Sequence, residues 1–161
     1  MMARWMRVRS AVPLEFEAAC KRLALAQPRR AAPILAWGET ALCYPFALIA
    51  PRRLAPGKRW RWPAWGLAAA VAAYRQFGVP AYLQDDSLWL HGRRIGETAA
   101  GLAGECVVIA SAFLMHFPSS CVATPSRELE QAFRLRLEAQ HGWQFEHSWP
   151  SAAERPALAA A

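Results

Sequence analysis

Apolar positions fall at helical spacing over residues 14–26, where Leu14, Ala18, Leu23 and Leu25 recur and Glu15 and Glu17 sit in the first turn, the end at which the dipole favours negative charge. A short basic lead precedes this helix, and Gln27-Pro28-Arg29-Arg30 ends it. The apolar runs 33–37 and 44–50 read as two strands with Gly38-Glu39-Thr40 as the turn between them. Pro45 places the second strand at a sheet edge, or itself at the strand's first residue. Residues 65–77 are apolar all round until Tyr74, Arg75 and Gln76, which predicts a largely buried helix with Gly78 as its C-terminal cap.

The second half is more strand-like. Residues 87–90 form a short strand, His91-Gly92-Arg93-Arg94 turns, and 95–100 pairs back on it. Gly101 to Gly104 makes another turn before the β-branched run 106–115, which has the character of a central strand. Ser126 caps a helix over 127–140, with Glu128 and Glu130 in its first turn and Leu129, Phe133 and Leu137 on one face. Gly142 closes it, and 143–147 alternates as an exposed strand would. Residues 1–150 make a single domain, and 151–161 a frayed, flexible tail. Strands and helices mix without a regular βαβ alternation, so the fold class is α+β.

Composition agrees with a packed domain: 161 residues, 55% hydrophobic and only 19% charged, exclude a disordered chain. No apolar run reaches the length of a membrane span. The formal charge of +7 is unevenly placed. Residues 1–61 hold 12 Lys and Arg against 3 Asp and Glu, net +9, whereas residues 62–161 hold 7 against 9, net −2. Lys21 and Lys58 are the only lysines. Cys20, Cys43, Cys106 and Cys121 show no metal-ligand spacing, so no metal is expected, and with no signal-like start the chain reads as a cytoplasmic protein with reduced thiols.

Little local chemistry stands out. There is no phosphate-binding glycine loop and no nucleophile elbow. His91, His116, His141 and His147 stand singly, as structural or surface histidines do. Asp85-Asp86 is a carboxylate pair whose plainer reading is a turn. The run 58–65, Lys-Arg-Trp-Arg-Trp-Pro-Ala-Trp, interleaves cations with indoles. Its preferred reading is a loop packed on the helix that follows. A polyanion contact through Arg52, Arg53, Lys58, Arg59 and Arg61 is the competing one, with stacked single-stranded bases or an acidic protein as partner.

The stretch Asp86-Ser87-Leu88-Trp89-Leu90-His91-Gly92-Arg93-Arg94-Ile95-Gly96-Glu97 resembles a segment of biotin and lipoate protein ligases. That segment reads Asn-Asp, three apolar residues, a turn, then Arg-Lys-Leu-Ala-Gly. The run 107–115 is similar to the family's strand ending in Gly-x-Gly-Ile-Asn, and the flanking helices and the final aromatic strand follow the family's order. The resemblance covers residues 33–148, with its specific part between Ala81 and Met115. It implies a mixed, largely antiparallel sheet packed against helices. Its implied site has Arg94 and Asp86 at the catalytic positions and Gly92, Arg93, Ile95, Gly96, Ser111, Trp37 and Gly38 around the ligand. ATP with lipoate or biotin are the cofactors it implies if ligase activity is retained, and an acidic lipoyl or biotinyl carrier domain is the implied partner of the basic segment.

The departures bear on chemistry. The family's lysine, which approaches the acyl-adenylate, is Arg94 here, a planar fork in place of a compact ammonium. The Asn-Asp pair becomes Asp86-Ser87, and the terminal Asn becomes Leu114. The Arg/Gly-rich loop that closes over the adenylate has no counterpart, because residues 37–42 run almost directly into the next strand, leaving no evident clamp for the charge that develops in adenylation. The expected function is therefore a divergent ligase-like protein with lost or altered ligase chemistry that keeps an acyl or nucleotide pocket. Its rivals are an active lipoate, biotin or octanoyl ligase or transferase using Arg94, and a binding module built on the basic loop.

Overall fold

The computed structural model describes residues 1–116 and 126–159. Along them run β1 (Met2–Arg7), α1 (Pro13–Leu25), β2 (Ile34–Trp37), β3 (Cys43–Pro51), α2 (Trp62–Gln76), β4 (Tyr82–Gln84), β5 (Ser87–Leu90), β6 (Arg93–Gly96), β7 (Ala99–Ala103), β8 (Cys106–Leu114), α3 (Ser126–His141), β9 (Gln144–His147) and α4 (Arg155–Ala159). Two short 3-10 turns, Arg52–Leu54 and Arg59–Arg61, join β3 to α2.

Six strands form one sheet in the order β7-β8-β3-β2-β1-β9, and β4-β5-β6 form a separate small sheet. β1 runs parallel to β2 and β9, while the other described pairings are antiparallel. The architecture is the mixed, largely antiparallel α+β fold expected. β3 and β8 read as continuous apolar runs because both faces of the large sheet are covered. Successive side chains alternate between the faces. Leu35, Trp37, Phe46, Leu48, Val107 and Ile109 pack with Leu67 and Tyr74 of α2 and Phe133 of α3. Ile34, Ala36, Ala47, Ile49 and Val108 pack on the other side against Phe16, Cys20 and Leu23 of α1.

Several sequence expectations are corrected. The basic lead is in fact an interior strand, β1, because Arg4 is held inside by the buried carboxylate of Glu154 instead of pointing to water. Pro45 is neither at an edge nor first in its strand, since β3 lies between β2 and β8. Its carbonyl accepts from the Gly38 N–H just past the end of β2, so its nitrogen faces a stretch where no ladder bond is required. Residues 95–100 do not make one returning strand: β6 stays in the small sheet, and β7 crosses into the large one and includes Gly101. The supposed tail is docked, with Glu154 buried and Arg22 Nε donating to the Ala157 carbonyl at 2.7 Å. α3 includes Ser126, whose hydroxyl accepts the Trp37 indole N–H at 3.0 Å.

Cys20 and Cys106 are buried free thiols and Cys43 a half-buried one, while Cys121 lies outside the described residues. Burial and the nearby Glu105 push the Cys106 thiol up to about 11. No described helix is long and apolar enough to cross a membrane.

Candidate functional site

Two tight hairpin turns shape the small sheet. Asp85 and Asp86 both take positive φ (49° and 60°), as do His91 and Gly92 (49° and 76°), the backbone that two-residue hairpins require. Asp86 is therefore a turn residue, and its side chain is exposed. Arg93 and Gly92 are also exposed, and the Gly92 N–H donates to Tyr82 Oη at 3.2 Å.

Arg94 pairs across the small sheet with Trp89, its guanidinium carbon 5.7 Å from the indole centroid. Its Nη1 lies 3.4 Å from Glu97 Oε1, with the two side chains 50% and 85% exposed, so the pair holds orientation more than energy. Trp89, Arg94, Ile95, Gly96 and Glu97 line a shallow cleft of about 430 Å³. Among the described residues no hydrogen bond or ion pair joins Arg94 to Asp86.

Ile95, Gly96 and Glu97 also line a second, largely apolar cleft of about 450 Å³ with Leu14, Phe16, Cys43, Pro45, Thr98, Ala110 and Ser111. It lies beneath the start of α1, where β6 crosses the end of β8. Gly96 permits that crossing, since a Cβ there would stand 2.9 Å from the Ala112 carbonyl oxygen. Ser111, buried, donates to the Glu97 carbonyl at 2.8 Å and fixes the bend between β6 and β7. The Thr98 Oγ1 is buried without a hydrogen-bond partner among the described residues. Three of the expected ligand residues, Ile95, Gly96 and Ser111, thus share one cleft. Glu97, Thr98 and Cys43 join them unforeseen, because no local pattern marks a strand end as the floor of a cavity.

Trp37 and Gly38 do not reach this cleft. Trp37 is fully buried, 5.8 Å from Tyr44 in a stacked pair, and with Gly38, Arg7, Arg9, Ser10 and Glu39 it lines a separate cavity of about 610 Å³. The turn from β2 to β3 is closed on itself. The Thr40 N–H donates to the Cys43 carbonyl at 2.9 Å, and the Leu42 and Cys43 N–H groups donate to Thr40 Oγ1 at 3.4 and 3.2 Å. These amides are spent inside the turn, so they are not presented to an anion.

The basic segment stands elsewhere. Arg52 and Arg53 follow the last residue of β3, while Cys43, its first, lines the apolar cleft. Nine residues of strand at about 3.3 Å each separate the two ends by roughly 25 Å. Of the tryptophans there, Trp62 is buried and donates to the Pro56 carbonyl at 2.7 Å, and Trp65 packs edge-on to Trp143 at 5.9 Å. The packed-loop reading holds for these two. Trp60 is 71% exposed, with the Arg61 guanidinium 5.6 Å from its ring. Among the described residues no ion pair engages Arg52, Arg53, Lys58, Arg59 or Arg61, and no three His, Cys, Asp or Glu side chains are grouped to hold a metal.

No protein-family model and no curated protein matches the chain. Solved structures do. A bi-partite lipoate protein ligase from Thermoplasma acidophilum, studied with its E2 lipoyl domain, superposes with a TM-score of 0.81 at 9% identity, over 98% of this chain and 91% of that one. A lipoate-protein ligase A bound with ATP gives 0.80 at 12% identity, over 98% and 93%. The biotin protein ligase of Leishmania major in complex with biotinyl-5-AMP gives 0.57 at 10% identity, over 88% and 76%. At these identities the likeness establishes the fold: the chain has the lipoate/biotin ligase catalytic-domain-like architecture.

Proposed function

We propose that the chain is a divergent protein on the lipoate/biotin ligase fold that holds a medium-chain acyl group in the apolar cleft beneath α1 and engages an acidic lipoyl or biotinyl carrier domain, with its adenylating chemistry lost or altered. The observation that carries this reading is the contrast between that cleft and its surroundings. Its volume of about 450 Å³ and its mostly aliphatic lining suit a short hydrocarbon chain. Arg94, in the adjoining cleft that shares Ile95, Gly96 and Glu97, suits the carboxylate of the same ligand.

Three placements among the described residues support a loss of adenylating chemistry. The β2–β3 turn consumes its own amides at Thr40, Asp86 sits in a solvent-facing turn, and Arg94 leans on Trp89 and Glu97. Adenylation needs donors aimed at the developing phosphate charge, since positioning alone leaves most of the barrier standing.

Calorimetric titration with lipoate, octanoate and biotin, each with and without ATP, tests the cleft. Incubation with a lipoyl domain and ATP, read by intact mass, tests the chemistry, with a separate arm offering an acyl-carrier thioester without ATP. Binding of the acids with an unchanged acceptor mass is expected. No heat with any acid overturns the acyl reading. An acceptor that gains the acyl mass makes the protein an active ligase or transferase, with Arg94 in the lysine's place.

A further inference from the structure

We propose that Phe16 is the end wall of the acyl cleft and fixes the chain length it accepts, with Gly38 setting the position of the Phe16 ring; this rests on the acyl reading of the cleft. Two cavities meet here. The apolar one, about 450 Å³, is lined by Phe16 and Pro45. The second, about 610 Å³, is lined by Gly38 and Trp37 together with Arg7, Val8, Arg9 and Glu39. Gly38 and Phe16 are in contact across the partition: a Cβ added to Gly38 would lie 2.8 and 2.9 Å from Phe16 Cδ2 and Cε2, and 3.2 Å from Pro45 Cγ.

The ring is 1% exposed and belongs to the core under α1. Gly38 abuts it on one side, and the cleft that it lines lies on another. An acyl chain entering past Ile95 ends on the ring, because Phe16 lines the cleft while Gly38 behind it lines only the second cavity.

The two residues therefore make opposite predictions. Phe16→Leu removes the far part of the wall and lengthens the cleft. Gly38→Ala presses on the Phe16 ring and on Pro45, both lining residues of the cleft, and shortens it. A loss of general stability would not separate the variants in this way.

The full-length protein and both variants, each verified as folded by a circular-dichroism melt, are titrated with saturated fatty acids from hexanoate to tetradecanoate. The Phe16→Leu optimum is expected to move at least one two-carbon step longer, and the acid at that length to bind on the order of tenfold tighter than to the parent, since a buried methylene is worth about fourfold in affinity. The Gly38→Ala optimum is expected to move shorter. Should Gly38→Ala not fold, Phe16→Met, slimmer and flexible, joins Phe16→Leu and is expected to lengthen the profile too. A parent that binds with a clear optimum, unmoved in every folded variant, overturns the wall. A parent that binds no acid of any length overturns the acyl reading itself, a result that no variant profile imitates.

Discussion

The Glu154 carboxylate is 3% exposed and gathers four donors. Arg4 Nη1 and Nη2 each lie 2.8 Å from one of its oxygens, Gln27 Nε2 lies at 2.6 Å and the Ser151 N–H at 2.8 Å. The two-pronged guanidinium bond is the strong form of such a pair. With Arg4 the largest cause, the carboxyl is pulled from its ordinary 4.5 down to about 2. A depressed carboxyl contributes stability that is complete above its unfolded value and is lost as pH falls through the folded one. Stability should therefore decline between about pH 4.5 and 2, and Glu154→Gln should flatten that stretch of the profile. At neutral pH Glu154→Gln should cost about 1–3 kcal/mol by leaving Arg4 half-paired, measurable by urea denaturation. An unchanged midpoint would show that the pair is dispensable. None of this was legible in the sequence. Arg4 and Glu154 lie 150 positions apart, and each has the look of an ordinary solvated charge.

The elements divide by how local their cause is. α1 and α3 were readable because their apolar spacing and first-turn acids are properties of a dozen neighbouring residues. The hairpins of the small sheet were readable too, since Asp85-Asp86 and His91-Gly92 suit a backbone with positive φ. β1 was not, because arginines at positions 4 and 7 interrupt the apolar pattern and the compensating partner is distant. β7 was missed because Ala99 and Ala100 read as the end of a returning strand and Gly101 to Gly104 as a turn, yet small residues suit an edge strand beside β8. An interior strand cannot be spared as a lead could. A chain lacking residues 1–8 should expose the facing edges of β2 and β9 and lose its cooperative thermal transition. A sharp transition retained in that truncation would return β1 to the periphery.

For the molecule as a whole, the resemblance located the right region without its geometry. Ile95, Gly96 and Ser111 meet in one cleft, whereas Asp86, Trp37 and Gly38 lie outside it, because neighbours in a motif need not share a cavity. The uneven charge gains a direction: Arg52 and Arg53 stand roughly 25 Å along β3 from the cleft, well beyond the screening length of about 8 Å at physiological salt. Replacing Arg52, Arg53, Arg59 and Arg61 by Ala should weaken an acidic carrier domain and flatten its salt dependence while leaving fatty-acid affinity within about twofold. Carrier binding that ignores the four changes would remove the basic end from the interface. The pairing of β1 with β9 has a further consequence, one of timing. Met2 aligns with Gln144 and Trp5 with His147, so β1 waits for a partner about 140 residues further along the chain. During synthesis one side of β1 stays unpaired until β9 is made, and such long loop closure slows folding and prolongs the exposure of an open sheet edge.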